Sequence, residues 1–115
     1  MSIQFYGIPN CDTVKKARKW LEAQRIDYTF HDYKKEGADP AKLAAWIDAA
    51  GLDIVLNRRG TTFRKLSEAE RSDVDAAKAV RLMEAQPSLI KRPVVEYAGG
   101  VLVGFKEAEW AAALG

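Results

Sequence analysis

The stretch IQFYGIPNCDTVKKAR, residues 3–18, decides the fold. Apolar and polar residues alternate as far as Tyr6, and the turn-forming residues Gly-Ile-Pro-Asn follow, which predicts a short strand that ends near Tyr6. Over residues 13–25 the apolar residues recur at helical spacing, so a helix should begin just after Cys11. The sole cysteine of the chain is therefore predicted to lie between a strand and the amino end of a helix.

Strands and a last helix are predicted on either side of a long middle segment. Residues 27–33 have the period-two character of a second strand, and strand–helix–strand order implies a right-handed parallel crossover. Residues 93–97 and 101–105 flank two glycines and predict an antiparallel hairpin. Residues 106–114 predict a final helix that would lay three small residues on the sheet, namely Ala108, Ala111 and Ala112.

The middle segment, residues 38–90, is predicted to be mostly helical. One helix is bounded by an N-cap signal at Asp39 and a stop signal at Gly51. The capping-box sequence at residues 67–70 opens another helix, which must stop before Pro87. The complete order, βαβ, helical insertion, ββα, is the one found in thioredoxin-like α/β folds with a four-stranded mixed sheet.

The composition fits a single domain over residues 1–115. Of the 115 residues, 48% are hydrophobic and 30% are charged, and a second domain of ordinary size does not fit. The net charge of +2 is too mild to predict nucleic acid or an anionic membrane as a partner. One cysteine and one histidine exclude an internal disulfide and a zinc site. With neither a signal-like start nor a membrane-length apolar run, we expect a soluble cytoplasmic protein.

Cys11 is the candidate for chemistry. Unpaired N–H groups and the helix dipole favour an anion there, and such sites lower a cysteine pKa from about 8.5 to roughly 3.5–7.5. Thr13 offers a hydroxyl, and Lys15 and Lys16 add positive potential. Asp12 opposes the thiolate and is expected to face solvent. The alternative is that Cys11 is a small buried hydrophobe, the commonest fate of a free cysteine.

Two other segments supply cations. Residues 57–62, Asn-Arg-Arg-Gly-Thr-Thr, form a loop without helical period, and Lys91-Arg92-Pro93 precedes the third strand. Arginine suits oxyanions through its paired N–H groups, although exposed arginine pairs are more often solvated surface. Arg92-Pro93 is the stronger candidate, because a proline that opens this strand is where thioredoxin-like folds carry a cis-proline beside the active thiol.

Four motifs together carry a family resemblance. In chain order they are residues 6–18, His31-Asp32-Tyr33, residues 57–66 and residues 89–93. The chain resembles the arsenate reductase/Spx family, closest to its YffB-like thiol reductase subgroup, over essentially its whole length. The resemblance implies the thioredoxin-like fold with its helical insertion.

The resemblance also implies roles for particular residues. Cys11 matches the nucleophile, Arg92 matches the second oxyanion-binding arginine, and Arg59 is the best match to the first, with Arg58 a one-residue alternative. Glutathione would serve as co-substrate, with no bound cofactor and no metal, and glutaredoxin is a possible partner. The implied substrate-binding residues are Asn10, Thr13, Lys15, Arg59, Arg92 and Pro93.

The chain departs from the arsenate reductases in two places. Residues 103–106 read Val-Gly-Phe-Lys where those enzymes carry a third arginine, and Asp12-Thr13 replaces their Gly-Thr-Ser-Arg. Each charge-assisted hydrogen bond contributes roughly 1.5–3 kcal/mol, so arsenate should bind weakly. We therefore expect a glutathione-dependent thiol–disulfide oxidoreductase that acts on a glutathionylated or disulfide substrate through a mixed disulfide. Glutaredoxin-coupled arsenate reduction is the alternative.

A different class is implied by the Spx branch, whose regulators bind RNA polymerase and sense redox state through a Cys-x-x-Cys switch. Val14 stands at the fourth position here, which excludes the disulfide switch and leaves a polymerase-binding surface as the less favoured reading. Direct nucleic-acid binding is disfavoured, because the basic residues are interleaved with acidic ones and form no recognition motif.

Overall fold

A computed structural model describes residues 3–115. In chain order its elements are β1 (Ile3–Gly7), α1 (Asp12–Ala23), β2 (Tyr28–Asp32), α2 (Tyr33–Glu36), α3 (Pro40–Ala50), α4 (Leu52–Val55), α5 (Thr61–Arg64), α6 (Glu68–Arg71), α7 (Ala76–Ala85), a 3₁₀ turn (Pro87–Leu89), β3 (Val94–Tyr97), β4 (Gly100–Val103) and α8 (Glu107–Leu114). Among the helices of these residues, none has the length and apolar character needed to cross a bilayer.

The strands of residues 3–115 form one mixed sheet in the order β2-β1-β3-β4. β1 runs parallel to β2, with Phe5 opposite Phe30, and antiparallel to β3, with Phe5 opposite Val95. β3 and β4 form the antiparallel hairpin, in which Tyr97 pairs with Gly100. The predicted α/β architecture, βαβ then ββα around a four-stranded mixed sheet, is confirmed.

The chain divides into two compact units. The first, which we call the sheet unit, comprises residues 3–36 and 92–115. α1 presents one apolar stripe, because Val14, Ala17 and Leu21 recur at helical spacing and are fully buried. These side chains form one core cluster with Phe5, Val95 and Trp110.

The second unit, the helical unit, comprises residues 37–91 and is nearly the stretch predicted as the insertion. Asp39 caps α3 by accepting a hydrogen bond from the Ala41 amide at 2.9 Å, and Gly51 ends the helix. Both predicted boundaries of α3 are confirmed. That residues 1–115 behave as a single domain stays a prediction.

The helix predicted between the capping box at residues 67–70 and Pro87 is two separate helices, α6 and α7. The capping box forms as predicted, with reciprocal hydrogen bonds between Ser67 and Glu70, but it caps only the single turn α6. Asp73 then has a φ of 50°, in the left-handed region that no helix continues through. The longer helix α7 starts again at Asp75, whose carboxylate accepts a hydrogen bond from the Lys78 amide at 2.8 Å.

The face of α8 also differs from the prediction. Its three alanines, Ala108, Ala111 and Ala112, are exposed, whereas Trp110 is 1% exposed and packs edge-on against Phe105 with ring centroids 4.9 Å apart. A large aromatic side chain buries far more apolar area than an alanine. The orientation of the helix therefore follows Trp110.

Smaller differences lie at element ends. Tyr33, the last residue of the predicted second strand, instead opens α2. The loop predicted over residues 57–62 ends in the helical turn α5, which begins at Thr61. β4 ends at Val103, because Gly104 has a φ of 75° and leaves the extended conformation.

Candidate active site

The strand-to-helix junction positions the thiol. Cys11 is the N-cap of α1, with extended backbone angles of −115° and 126°, and its carbonyl accepts the first helical hydrogen bond from the Lys15 amide at 2.9 Å. A Cβ atom at Gly7 would lie 3.0 Å from a Val14 methyl group. Glycine therefore lets the end of β1 approach the first turn of α1 closely, and the sulfur lies at the amino end of a 12-residue helix.

The environment of the sulfur favours the thiolate. Cys11 is partly exposed, so it is not the fully buried hydrophobe of the alternative interpretation. Partial burial raises its pKa, but the Val14 amide, the Arg92 guanidinium and the Thr13 amide lower it, and the net pKa lies below the ordinary value. The amides do not form a regular side-chain cap with the sulfur, yet they face it closely enough to stabilise negative charge.

Arg92 reaches the thiol from the residue that precedes the third strand. Its guanidinium hydrogen-bonds to the Cys11 sulfur. The peptide bond between Arg92 and Pro93 is cis, as its position before β3 predicts. Pro93 is buried, and its carbonyl accepts a hydrogen bond from the Gly104 amide at 2.8 Å. Cys11 and Arg92, distant in sequence, thus belong to one cluster in the sheet unit.

Tyr33 is the residue of this cluster that the sequence reasoning missed. It is 2% exposed, and its hydroxyl hydrogen-bonds to the Arg92 guanidinium. Burial raises the pKa of the Tyr33 phenol far above its ordinary value, although Arg92 acts in the opposite direction. The phenol therefore stays neutral. Its only signal was its place in the His31-Asp32-Tyr33 motif, which says nothing about its partner.

The remaining predicted site residues of the sheet unit surround the thiol in sequence. Asn10, Thr13 and Lys15 are exposed, and among them Thr13 acts on the sulfur through its backbone amide. Asp12 is exposed, as expected. The structure therefore connects Arg92 and the amide of Thr13 with the thiol, and the side-chain roles of Asn10, Thr13 and Lys15 stay predictions.

The two arginines of the helical unit differ in their surroundings. The Arg58 guanidinium pairs with Asp53 at 3.0 Å and lies 6.0 Å from the centroid of the Phe63 ring. Arg59 is exposed, and its amide donates to the Asn57 side chain at 3.2 Å. Among residues 3–115, no ion pair engages the Arg59 side chain. This favours Arg59 over Arg58 as the arginine available to a ligand, and its contact with substrate stays a prediction.

The segment after β4 offers the thiol no third arginine. Gly104 is buried and has no side chain, Phe105 packs on Trp110, and the exposed Lys106 ammonium lies 3.7 Å from the Glu109 carboxylate. Within the described part of the chain, no group of three histidine, cysteine or acidic side chains is arranged to hold a metal ion. The chemistry that the cluster can perform is attack by a thiolate held beside a guanidinium.

Comparisons with known proteins agree with this architecture. The model of the ArsC family matches residues 6–113. A solved structure of a YffB protein superposes with a TM-score of 0.96 at 55% identity and covers 99% of this chain and 100% of its own. An uncharacterised protein of Haemophilus influenzae is 42% identical over 96% of this chain and 97% of its own length.

A relative of known biological role is more distant. The global transcriptional regulator Spx of Streptococcus pneumoniae is 27% identical over 109 residues, which cover 93% of this chain and 81% of that protein. The family match and the superposition confirm the thioredoxin-like fold and the resemblance inferred from the motifs.

Proposed function

The chain belongs to the ArsC family, which contains thiol-based reductases and Spx-like regulators, and from that premise we propose that it is a glutathione-dependent thiol–disulfide oxidoreductase. Cys11 is its nucleophile, and its substrate is a disulfide or a glutathionylated thiol. It acts in the cytoplasm, where glutathione keeps thiols reduced.

One observation carries the proposal: a partly exposed sulfur is held at a helix N-terminus and hydrogen-bonded by Arg92, with its pKa lowered. A thiolate attacks a disulfide, whereas a protonated thiol does not. A cysteine kept only for packing has no use for a guanidinium beside it. This environment supports a nucleophile.

The reaction proceeds by two exchanges. The Cys11 thiolate attacks the glutathione sulfur of a glutathionylated substrate, a Cys11–glutathione disulfide forms, and the substrate leaves as a thiolate that takes a proton from solvent. A glutathione thiolate then attacks the glutathione sulfur of this adduct, oxidised glutathione leaves, and the Cys11 thiolate is restored. The net change reduces one mixed disulfide and oxidises one further glutathione.

Glutathione carries two carboxylates, which suit cationic side chains. In this proposal Arg92 and Arg59 bind those carboxylates, and Lys15 adds positive potential. Asn10, Thr13 and Pro93 are the further substrate-binding residues of the sheet unit in this proposal. Because Arg92 has five N–H donors, it can serve the sulfur and a carboxylate together. Glutaredoxin is a possible reductant of the adduct.

Intact-mass measurement after incubation with oxidised glutathione tests the proposal. We expect one glutathione per chain, its loss in Cys11→Ser, and its removal by reduced glutathione. His31→Ala is a matched control that should keep the adduct. A wild-type protein that takes up no glutathione, or an adduct that persists in Cys11→Ser, would contradict the proposal.

Arsenate reduction coupled to glutathione and glutaredoxin is the second enzymatic candidate, because the family includes arsenate reductases. The segment after β4 argues against it, since Gly104 and Phe105 supply no cation for a doubly charged oxyanion. Turnover with arsenate, glutathione and glutaredoxin, but none with a glutathionylated substrate, would reverse the order of the two candidates.

The similarity to Spx favours one non-enzymatic candidate, a regulator that binds RNA polymerase. Val14 is fully buried in the core and cannot form a disulfide with Cys11. Regulation of this kind would therefore run without an internal disulfide. Capture of RNA polymerase by the purified chain, equally strong for wild type and Cys11→Ser and without any glutathione adduct, would favour this candidate.

A further inference from the structure

The Arg92 guanidinium is shared between two partners. It lies within hydrogen-bonding reach of the Cys11 sulfur and of the Tyr33 hydroxyl. The sheet register brings the three residues to one edge: Gly7 at the end of β1 pairs with Asp32, the residue before Tyr33. Tyr6 pairs with Val94, two residues after Arg92. Arginine has donors and no acceptor, so the phenol oxygen accepts a hydrogen bond from the guanidinium. The nearly fully buried side chain of Tyr33 thus contacts the same guanidinium that faces the thiol.

The two partners of Arg92 differ in mobility. Arg92 is partly exposed, and a long arginine side chain loses considerable rotamer entropy when it is fixed. Tyr33 is 2% exposed and has only two side-chain dihedrals, so its oxygen is a fixed acceptor. Without that acceptor, the guanidinium would spend less time against the sulfur.

We propose that Tyr33 is a positioning residue, which fixes the Arg92 guanidinium against the Cys11 sulfur and so keeps the thiol reactive at neutral pH. This inference rests on the proposed function of Cys11. Tyr33 does not touch the bond that breaks. It acts through the cation.

The charges around the cluster make the effect separable. Arg92 and the amides of Val14 and Thr13 face the sulfur, and Tyr33 approaches from the end of β2. The neighbouring carboxylate, Asp32, accepts a hydrogen bond from the Lys34 amide at 3.0 Å. Because the phenol is neutral, its removal deletes a hydrogen bond and leaves the net charge unchanged.

Tyr33→Phe is the test variant, since it removes one oxygen and keeps the buried ring. We expect the pH midpoint of Cys11 alkylation by iodoacetamide to rise, and the alkylation rate at pH 7 to fall roughly two- to fivefold. Tyr28→Phe is the matched control: its hydroxyl accepts a hydrogen bond from Arg18 Nε at 3.0 Å, away from the thiol cluster, and the midpoint should not move.

A double-mutant cycle with Arg92→Ala shows whether Tyr33 acts through the cation. In the Arg92→Ala background, Tyr33→Phe should have no further effect on the midpoint. An unchanged midpoint in Tyr33→Phe would overturn the proposal, and so would a shift of the same size in both backgrounds. Arg92→Lys is a second variant that leaves Tyr33 intact. A lysine ammonium is a point charge without the planar array of N–H donors that serves two acceptors. The alkylation midpoint of Arg92→Lys should therefore rise, and a midpoint equal to that of the wild type would also overturn the proposal.

The alkylation assay needs no glutathione, so it separates the two proposals. If Tyr33→Phe raises the alkylation midpoint but the wild-type protein forms no glutathione adduct, the proposed substrate is refuted and the positioning role of Tyr33 is kept. If the wild-type protein forms the adduct but Tyr33→Phe leaves the midpoint unchanged, the proposed substrate is kept and the positioning role is refuted.

Discussion

The longer helices of the two units, those of eight residues or more, begin in different ways. In the helical unit, α3 and α7 each start at a residue whose side-chain oxygen accepts a backbone N–H, namely Asp39 and Asp75. In the sheet unit, α1 starts at Cys11 and α8 starts at Lys106, and neither side chain makes a capping hydrogen bond. The longest helix of the described chain, α1, therefore begins without a side-chain oxygen of the kind that stabilises α3 and α7.

The difference shows that the amino end of α1 lacks a stabilising cap at the position where a reactive thiol lies. A good N-cap contributes about 1 kcal/mol relative to a poor one, and a serine at position 11 would supply it. A sulfur in that place leaves the amides of Thr13 and Val14 to stabilise a thiolate. The side-chain caps stabilise α3 and α7, whereas the amino end of α1 faces the sulfur of Cys11.

The largest expected effect concerns the cation beside the sulfur. Arg92→Ala should slow attack of Cys11 on oxidised glutathione at neutral pH roughly tenfold, because it removes a partly solvent-screened, charge-assisted hydrogen bond that contributes about 1.4 kcal/mol. Stopped-flow or quenched-mass kinetics measure the rate. Arg59→Ala is the comparison in the helical unit: it should raise KM for a glutathionylated substrate and leave the pH midpoint of alkylation unchanged. If Arg92→Ala and Arg59→Ala shifted the pH midpoint of Cys11 alkylation equally, the two arginines would not have the separate roles proposed for them.

A cap of the helical unit gives the next effect. Asp75→Ala removes the acceptor for the Lys78 amide and should lower the free energy of unfolding by about 1 kcal/mol. Urea titration measures it. Asp48→Ala, at an exposed position of α3, is the matched control and should change stability by less than about 0.5 kcal/mol. A loss no larger than that of the control would mean that the cap adds little.

The smallest effect comes from the amino end of α1. Cys11→Ser should be more stable than Cys11→Ala by about 0.5–1 kcal/mol, because serine is a far better N-cap than alanine. Both variants lack the thiol, so the difference isolates the cap. Urea unfolding of the two should separate them in that order. If Cys11→Ala proved equally stable, no cap would be missing from α1.

Local signals predicted much of this structure. Cap residues and prolines act on their own neighbours, which is why the bounds of α3 follow from a few letters of sequence. The start of α1 follows from the turn residues that precede it and from the helical spacing of its apolar residues. The left-handed Asp73 that separates α6 from α7 has no comparable signal. The orientation of α8 depends on packing against Phe105, which periodicity of the small residues does not encode.

The sequence predicted two members of the candidate site, Cys11 and Arg92, and missed the third, Tyr33. Cys11 and Arg92 stand beside a turn and a proline that mark them. Tyr33 has a strand-like local pattern, and its importance comes from a hydrogen bond to Arg92 far along the chain. Such a contact depends on the sheet order, which brings the ends of β1 and β2 beside the start of β3. No short-range sequence pattern reveals it.

The central claim is that the fold holds Cys11 as a thiolate, and the pH dependence of its alkylation tests this most directly. Because the amides and Arg92 lower the pKa despite partial burial, the midpoint of the rate against pH should lie below the value of about 8.5 for a free cysteine. Glutathione alkylated under the same conditions is the reference. A midpoint below that of glutathione agrees with the account, and a midpoint at or above it contradicts the account.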